Sequence, residues 1–432
     1  MRDQRRRTAV VGSGVAGLTA AYILRSAHRV VLYEADDRLG GHAHTHDVAA
    51  PDGRIRGVDS GFIVHNDRTY PHLLRLFHEL GVATRPTEMS MSVRCEGCGL
   101  EYAGARGPRG LFARPRNALR RPYLRMLRDV PRFHRRASEY LAQGSEYLAQ
   151  EAGAGEVGIT LGEFLAQHRF PTYFVRHFAV PLVSAVWSCP PGTALRYPAR
   201  HLFRFLDHHG MLSVSGSPNW RTVDGGSREY VTRIGKELQD VRTSTPVRSV
   251  RRDGAGVCVT TEDGTADAFD SVVIAVHADQ ALRLLADPSG AEREVLGAFR
   301  YSPNPAVLHT DTAVLPRSPG ARASWNCLLP SCRVTTDHVR VSYDMNRLQG
   351  LDSSETYVVT LGGEDRIRPD RVLARMAYEH PVYTAESVGA QERLASLSGP
   401  VTAFAGAYQG WGFHEDGCRS GVDAARTLGV RW

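Results

Sequence analysis

Lysine is all but missing from this chain. Of the 53 basic residues among 432, only Lys236 is not arginine, so any chemistry that needs a lysine must run through that one position. Cysteine is also sparse. The seven residues, Cys95, Cys98, Cys189, Cys258, Cys327, Cys332 and Cys418, are odd in number and scattered, which argues against a disulfide framework and for a reducing compartment. No apolar run approaches the roughly 20 residues that a membrane-spanning helix needs. Neither internal repeats nor low-complexity linkers interrupt the chain. Arg5-Arg6-Arg7 before Ala9-Val10-Val11 resembles a secretory or twin-arginine leader. Gly12 breaks that apolar stretch, however, and the better reading is the first strand of a nucleotide fold, with cytoplasmic residence expected. The 42% hydrophobic and 23% charged residues fit an ordinary globular chain, long enough for two or three domains at roughly 100–200 residues each.

Residues 8–12 read as a strand, Gly14 to Ala27 as a helix and Arg29 to Glu34 as a second strand. Between the first strand and the helix lies Gly12-Ser13-Gly14-Val15-Ala16-Gly17. In such a loop Gly12 permits the tight turn, Gly14 lets the backbone approach a pyrophosphate, and Gly17 allows close helix–strand packing. The helix start, with Val15 and Ala16, presents unpaired N–H groups to the phosphates. Glu34, 17 residues beyond Gly17, is placed to accept hydrogen bonds from a ribose diol. Together these predict a Rossmann-type dinucleotide site.

Farther along, Leu73, Leu74, Phe77 and Leu80 share a helical face that Gly81 ends. Residues 89–103 read as a hairpin turning at Glu96-Gly97, and 118–148 as a long helix. Strand signals recur at 247–250, 256–261, 271–276, 305–315, 339–344, 356–361 and 401–405, and a closing helix is expected from about Gly417. Nucleotide-type strands thus fall at the beginning, middle and end. This implies an α/β fold whose cofactor domain is discontinuous (1–85, 215–285 and 395–432), interrupted by an α+β substrate domain (86–214 and 286–394).

The second strand continues as Glu34-Ala35-Asp36-Asp37-Arg38-Leu39-Gly40-Gly41. This E-x-x-x-R-x-G-G extension resembles that of the amine oxidase and phytoene desaturase superfamily of flavoproteins. Three later blocks match in order: Asp59-Ser60-Gly61, followed by Phe62 and Ile63; Asp224-Gly225-Gly226-Ser227 with Thr245-Pro246-Val247; and Phe404-Ala405-Gly406 with Gly412-Phe413-His414-Glu415-Asp416-Gly417. The resemblance implies FAD, an amine oxidase-like fold, and cofactor contacts from all four blocks. Gly61, Phe62 and Ile63 would run along the flavin ring, Val247 would meet the adenine, and Gly406, Phe413, His414 and Glu415 would lie at the flavin end. His42 stands where many members place a phosphate-binding arginine.

A narrower likeness is carried by Gly61-Phe62-Ile63-Val64-His65-Asn66, Val186-Trp187-Ser188-Cys189-Pro190 and the run from Ala407 to Gly417. These resemble bacterial FAD/NAD-binding proteins associated with cyclopropane-fatty-acid synthases, and the N-terminal flavin domain of the plant synthases. The likeness extends over nearly the whole chain. It implies an oxidase or desaturase that takes a hydride from a hydrophobic substrate, an acyl chain or a carrier-bound one. A double-bond isomerase or an amine oxidase is the alternative, and an FAD-bound scaffold for a lipid-modifying enzyme is the alternative of another class.

Superfamily amine oxidases use a lysine that holds a water at the flavin. Lys236 sits on a helix after the Gly-Gly-Ser block and reads as a surface charge, which turns the expectation away from amine oxidation. Covalent flavin attachment needs a cysteine just before the closing motif, whereas Cys418 lies beyond it, so FAD is expected to be noncovalent. Trp411 and Phe413 are candidates for an aromatic wall over the flavin, with core packing as the alternative. His65 and His414 are candidate general acids or bases, since imidazole titrates near neutrality, with a structural role as the alternative. Cys189 is a minor candidate nucleophile.

Cys95-x-x-Cys98 invites a zinc reading, but four ligands are wanted. The partners the sequence offers are Cys327 and Cys332, far away in the chain, so a plain hairpin turn is expected and no metal. From Arg106 to Arg136 eleven arginines face a single acid, Asp129. Such a segment suits an acidic carrier protein or a peripheral membrane surface, the alternative being a solvated face. No recognised nucleic-acid motif accompanies the charge, so nucleic acid is not expected.

Overall fold

The computed structural model describes residues 5–148, 158–213, 216–254, 256–333 and 339–432. The domain junction expected at 214/215 lies outside the described residues. Strand β1 (Arg6–Val11) is buried along its last four residues, as an apolar run in a central parallel strand should be. It pairs in parallel with β2 (His28–Tyr33) on one side and with Ser271–Ile274 on the other. Asp240–Arg242 and Thr402–Phe404 complete a five-stranded parallel sheet from the two edges.

Helix α1 (Val15–Leu24) crosses between β1 and β2 with every residue buried. It lies between the sheet and the closing helix, His414–Thr427. Small residues make this approach feasible. A Cβ on Gly17 would fall 1.9 Å from the Gly12 carbonyl oxygen, and Gly12 itself turns at a φ of +97°, a conformation that costs other residues dearly. The closing helix starts three residues before the expected Gly417. That glycine lies in its first turn because a Cβ there would meet Val15 Cγ1 at 2.6 Å. Close packing, not helix termination, is what glycine provides at this point.

The other large layer is a seven-stranded sheet, in spatial order 372–382, 300–309, 358–361, 341–344, 325–329, 91–95 and 100–103. All its pairings are antiparallel except that of 325–329 with 91–95. The expected 89–103 hairpin forms its edge. The strand expected at 305–315 ends at His309, where a register shift and an Asp311-capped turn take over. Helices from 121 to 208 pack beside this sheet around Phe133, Phe164, Phe174 and Phe203. Among the described residues no helix is long and apolar enough to cross a membrane.

Among the buried histidines, His65 and His309 are wholly covered, His209 is 5% and His201 9% exposed. Burial disfavours the imidazolium and pushes each down to about 4. Unfolding returns them to about 6.5, so below that pH the unfolded chain binds protons that the folded chain refuses. Stability should therefore be intact above pH 6.5 and fall as pH drops toward 4, by on the order of 1 kcal/mol per pH unit for each histidine. Melting temperatures of the purified protein between pH 7.5 and 5 check this; a flat profile would refute it.

Candidate functional site

A cleft of about 1330 Å³ runs from the carboxyl ends of β1 and β2 to the helices beside the seven-stranded sheet. This exceeds the roughly 300–1,000 Å³ of an ordinary small-molecule pocket and suits a dinucleotide with a second ligand. Its position at the strand ends is where open α/β sheets place ligands.

At the sheet end the Glu34 carboxylate accepts hydrogen bonds from Ser13 N at 2.8 Å, Ser13 Oγ at 2.5 Å and Asp36 N at 2.9 Å. It thereby fixes the glycine loop against the end of β2 and keeps an acceptor edge in the cleft. The N-cap of α1, Gly14, has no side-chain cap, and the first turn carries no acid. A Cβ at Gly14 would meet nothing within 4 Å, so the helix start opens on the cleft as an anion cradle. Arg38 donates to the Gly41 carbonyl at 2.9 Å, while its Nη1 is buried without a partner among the described residues. An orphaned guanidinium donor beside an uncapped helix start fits a diphosphate.

One buried carboxylate ties the sequence blocks together. Asp59 accepts from Thr45 Oγ1 at 2.5 Å, Ser227 N at 3.0 Å, Ser227 Oγ at 2.8 Å and Gln349 Nε2 at 3.0 Å. Its own N–H donates to Gln349 Oε1 at 2.8 Å. Just beyond it Phe62 N donates to the His42 carbonyl at 2.8 Å, bringing Gly61, Phe62 and Ile63 to the cleft wall with His42.

The far end is aromatic. Phe413 stacks on Phe205, with ring centroids 4.7 Å apart, and Trp187 Nε1 donates to the Trp411 carbonyl at 3.2 Å. The closing turn is shaped by Asp416, which accepts from Trp411 N and Phe413 N at 3.0 Å each. Of the proposed catalytic residues, Trp411, Phe413 and His414 line the cleft. His414 lies flat against Phe62 at 3.6 Å and shares a 2.8 Å hydrogen bond with the Tyr230 hydroxyl. Desolvation, with His65 nearby, pushes it down to about 3.

Two expectations are corrected by this geometry. His65 does not line the cleft. The alternation of strand Val64–Asn66 turns it inward against Phe77 and Tyr70. Glu415 also faces away, accepting from His72 N and Leu73 N at 3.0 Å, where it caps helix α2 (Pro71–Glu79). Gly17 and Gly40 support the cradle from behind without lining it, Gly40 N donating to Ser13 O at 3.1 Å. Gly12, Gly14, Val15, Ala16, Ala35, Arg38, Gly41, Val247 and Gly406 all line it.

Cys189 is buried, lies outside the cleft lining, and is pushed up to about 12 by desolvation, which removes it as a nucleophile. Lys236 is exposed on helix Arg228–Glu237. No cysteine lines the cleft among the described residues, and Cys418 is buried beside Thr19. Sequence reasoning missed Tyr378 and His380, whose rings lie tilted against His42 with centroids 4.9 and 5.4 Å away. Their spacing of two on one strand puts them on one face, but no motif points to the cleft.

The residues present fit FAD: Glu34 for the ribose, the α1 start and Arg38 for the diphosphate, Val247 for the adenine end, and 61–63 with 406 and 412–414 for the ring end. Loss of the Glu34 acceptor in Glu34→Ala should weaken FAD binding about 10- to 100-fold, the range for a charge-assisted hydrogen-bond pair. Titrating apoprotein with FAD and following flavin fluorescence measures it; unchanged affinity would remove Glu34 from the site.

Comparison with known proteins agrees with this geometry. The family model described as flavin containing amine oxidoreductase matches residues 15–314. A Mycobacterium tuberculosis protein assigned as a flavin-containing monoamine oxidase, AofH, is 29% identical over 289 residues, 65% of this chain and 58% of its own. The carotenoid phi-ring synthase of Streptomyces griseus is 31% identical over 292 residues, 64% of this chain and 53% of its own. The chain thus spans a little over half the length of these relatives. Among solved structures, the CLA-producing fatty acid isomerase from P. acnes superimposes with a TM-score of 0.68, covering 98% of this chain and 99% of that one at 17% identity, a likeness of fold. The chain belongs to the flavin-containing amine oxidoreductase family, and its cofactor is FAD, held noncovalently.

Proposed function

We propose that the protein is an FAD-dependent oxidoreductase that takes a hydride from a hydrophobic substrate, an acyl chain either free or carrier-bound. One observation carries this reading. The cleft wall contributed by residues 185–220, 325–361 and 411–413 includes Val186, Trp187, Phe205, Met211, Trp411 and Phe413 and, among the described residues, no lysine, arginine, aspartate or glutamate. An ammonium buried there would lose hydration with no countercharge, a cost of several kcal/mol. Each methylene buried there gains about 0.8 kcal/mol.

Bound FAD supplies the hydride acceptor. The protein supplies position, through the aromatic wall, and a dry environment. His209 lines this end, buried and pushed down to about 4 by desolvation, with Nδ1–H donating to Phe205 O at 3.0 Å. Neutral imidazole at His209 and at His414 is what this wall offers as acceptor for the proton that leaves with the hydride. Because both stay neutral above about pH 5, kcat/KM should be flat from pH 6 to 8.

Anaerobic mixing with free fatty acids, acyl thioesters and primary amines, followed by the absorbance of oxidised flavin, tests the assignment. Acyl substrates should bleach the flavin and amines should not. Phe413→Ala should lower kcat/KM for the acyl substrate about 10- to 100-fold, as expected for loss of a buried aromatic contact. Bleaching by amines alone would overturn the reading.

We also propose that the arginine-rich segment docks on an anionic membrane surface. Arg109, Arg116, Arg121, Arg125 and Arg128 are exposed, with no ion pair among the described residues, whereas Arg114, Arg132 and Arg136 are matched by Glu101, Asp129 and Glu139. Between them Leu119 is 85% and Phe112 37% exposed. Exposed apolar side chains interspersed along the chain with unpaired arginines suit a bilayer interface, each near-surface cation adding about 1 kcal/mol of attraction. Flotation with phosphatidylglycerol vesicles should recover the protein and phosphatidylcholine vesicles should not, and Leu119→Asp should weaken recovery. Equal behaviour on both lipids would refute the surface, as would capture by an acidic carrier protein in their place.

A further inference from the structure

Away from the cleft, four potential ligands from three distant stretches converge. Cys95 ends the strand Met91–Cys95, Cys98 lies in the turn before Leu100–Ala103, and Cys332 follows the strand Trp325–Leu329. His177 sits in the π-helical turn Val175–Ala179. One ligand atom from each lies within 4.8 Å of all the others. The Cys95 and Cys332 sulfurs are 3.6 Å apart, and Cys98 Sγ is 3.7 Å from His177 Nε2. For zinc bonds of about 2.3 Å to sulfur and 2.0–2.1 Å to nitrogen, a tetrahedron has edges of about 3.8 Å (S···S) and 3.5 Å (S···N). These two separations match the corresponding edges to a few tenths of an ångström, and the remaining pairs lie within 4.8 Å. We propose that Cys95, Cys98, Cys332 and His177 form a structural zinc site.

The surroundings have the features such a site needs. His177 Nδ1–H donates to Tyr173 O at 3.0 Å and the ring stacks on Tyr173. That contact fixes the tautomer and leaves Nε2 as the ligand, the usual second-layer arrangement for a zinc-bound imidazole. Gly97 and Gly99 shape the turn. A Cβ at Gly97 would meet Cys332 N at 2.8 Å, and Gly99 turns at a φ of +67°, so the Cys332 loop can lie across the Cys95–Cys98 turn. Arg176 Nη1 donates to the Cys332 carbonyl at 3.0 Å, placing a cation beside a centre that, with three thiolates and a neutral imidazole on Zn²⁺, carries one negative charge. All seven cysteines are free thiols; binding displaces three thiol protons to solvent.

Four protein ligands leave no open position for a substrate, so the site is structural rather than catalytic. None of the four lines the cleft. The site instead fastens the edge of the seven-stranded sheet to the turn that leads into helix Val180–Trp187, whose Ala185, Val186 and Trp187 do line it. Cys327 is not part of it, since its sulfur faces the Pro181 carbonyl at 3.7 Å.

Full-length protein purified from zinc-supplemented medium, loaded with FAD and analysed by plasma mass spectrometry, should contain one zinc per chain. Cys98→Ser, Cys332→Ser and His177→Ala should lose it, His177→Cys should keep it as a four-thiolate site, and Cys258→Ser should not change it. Cobalt(II) exchanged into the wild-type protein should give the strong visible bands of a tetrahedral thiolate centre. If the serine variants do not fold, the wild-type metal content and the cobalt spectrum still decide. Wild-type protein without zinc overturns the proposal, as does iron in its place or a disulfide between Cys95 and either partner in nonreducing peptide mass spectrometry. FAD content, measured separately, keeps this result independent of the cleft assignment.

Discussion

The cleft depends on the buried carboxylate of Asp59. It stands where four segments meet: the chain after the second glycine pair, through Thr45; its own Asp59-Ser60-Gly61 turn; the Gly-Gly-Ser block, through Ser227; and the seven-stranded layer, through Gln349. A carboxylate taken out of water is tolerable only when its lone pairs are satisfied, and here donors come from three different segments. If one is withdrawn, the group is left partly unsatisfied in low dielectric, so the segments hold one another in register. The cofactor wall at Gly61–Ile63 is thereby set relative to the glycine loop before any ligand arrives, which is what a preorganised site requires.

Close approach of backbones does for packing what Asp59 does for polarity. The Gly12–Gly17 contact lets α1 start directly over the strand ends, and the glycine in the first turn of the closing helix lets that helix lie against Val15. Two helix starts therefore converge near one line. The uncapped start of α1 offers N–H groups to an anion. The start of the closing helix is shaped by Asp416, which aims Phe413 and His414 along the cleft. The polar end and the apolar end of the site are thus set by neighbouring helix termini, and the boundary between them falls where the flavin ring is expected.

Local motifs were legible because each glycine or acid in them answers a backbone need of its own neighbourhood. Gly12, Gly14, Glu34, Arg38 and Gly61 could be placed by number alone. The fold class was legible too, from strands recurring at the beginning, middle and end. Side-chain direction was not. His65 and Glu415 lie within a few residues of the cleft but on the wrong side of a short strand and a helix turn, a matter of one residue's phase. Tyr378 and His380 belong to a strand with no motif. The cysteine–histidine cluster was the least legible, because Cys95 and Cys332 are 237 residues apart and His177 owes its direction to a π-helical turn that no periodicity announces.

The same cluster bears on how the apolar end keeps its shape. Aromatic contacts such as Phe413 on Phe205 hold area but little orientation, since stacked rings can slide at small cost. Helix Val180–Trp187, which supplies that wall, needs fixed ends. At one end Trp187 Nε1 donates to the Trp411 carbonyl, tying it to the closing turn. At the other, the proposed zinc site of His177 and the three cysteines would tie the preceding turn to the sheet edge. Ser188, the cap of the helix at the Trp187 end, adds a side-chain hydrogen bond with Tyr343, and the proposed zinc would bring directional bonds to the other end. Loss of the proposed metal would free the Val175–Ala179 end of this helix, while the end that carries Ala185 and Val186 stays held through Trp187. The cysteine–histidine cluster and the cleft share no lining residue, yet one helix of eight residues joins them, so the proposed site would bear on the apolar wall without touching it.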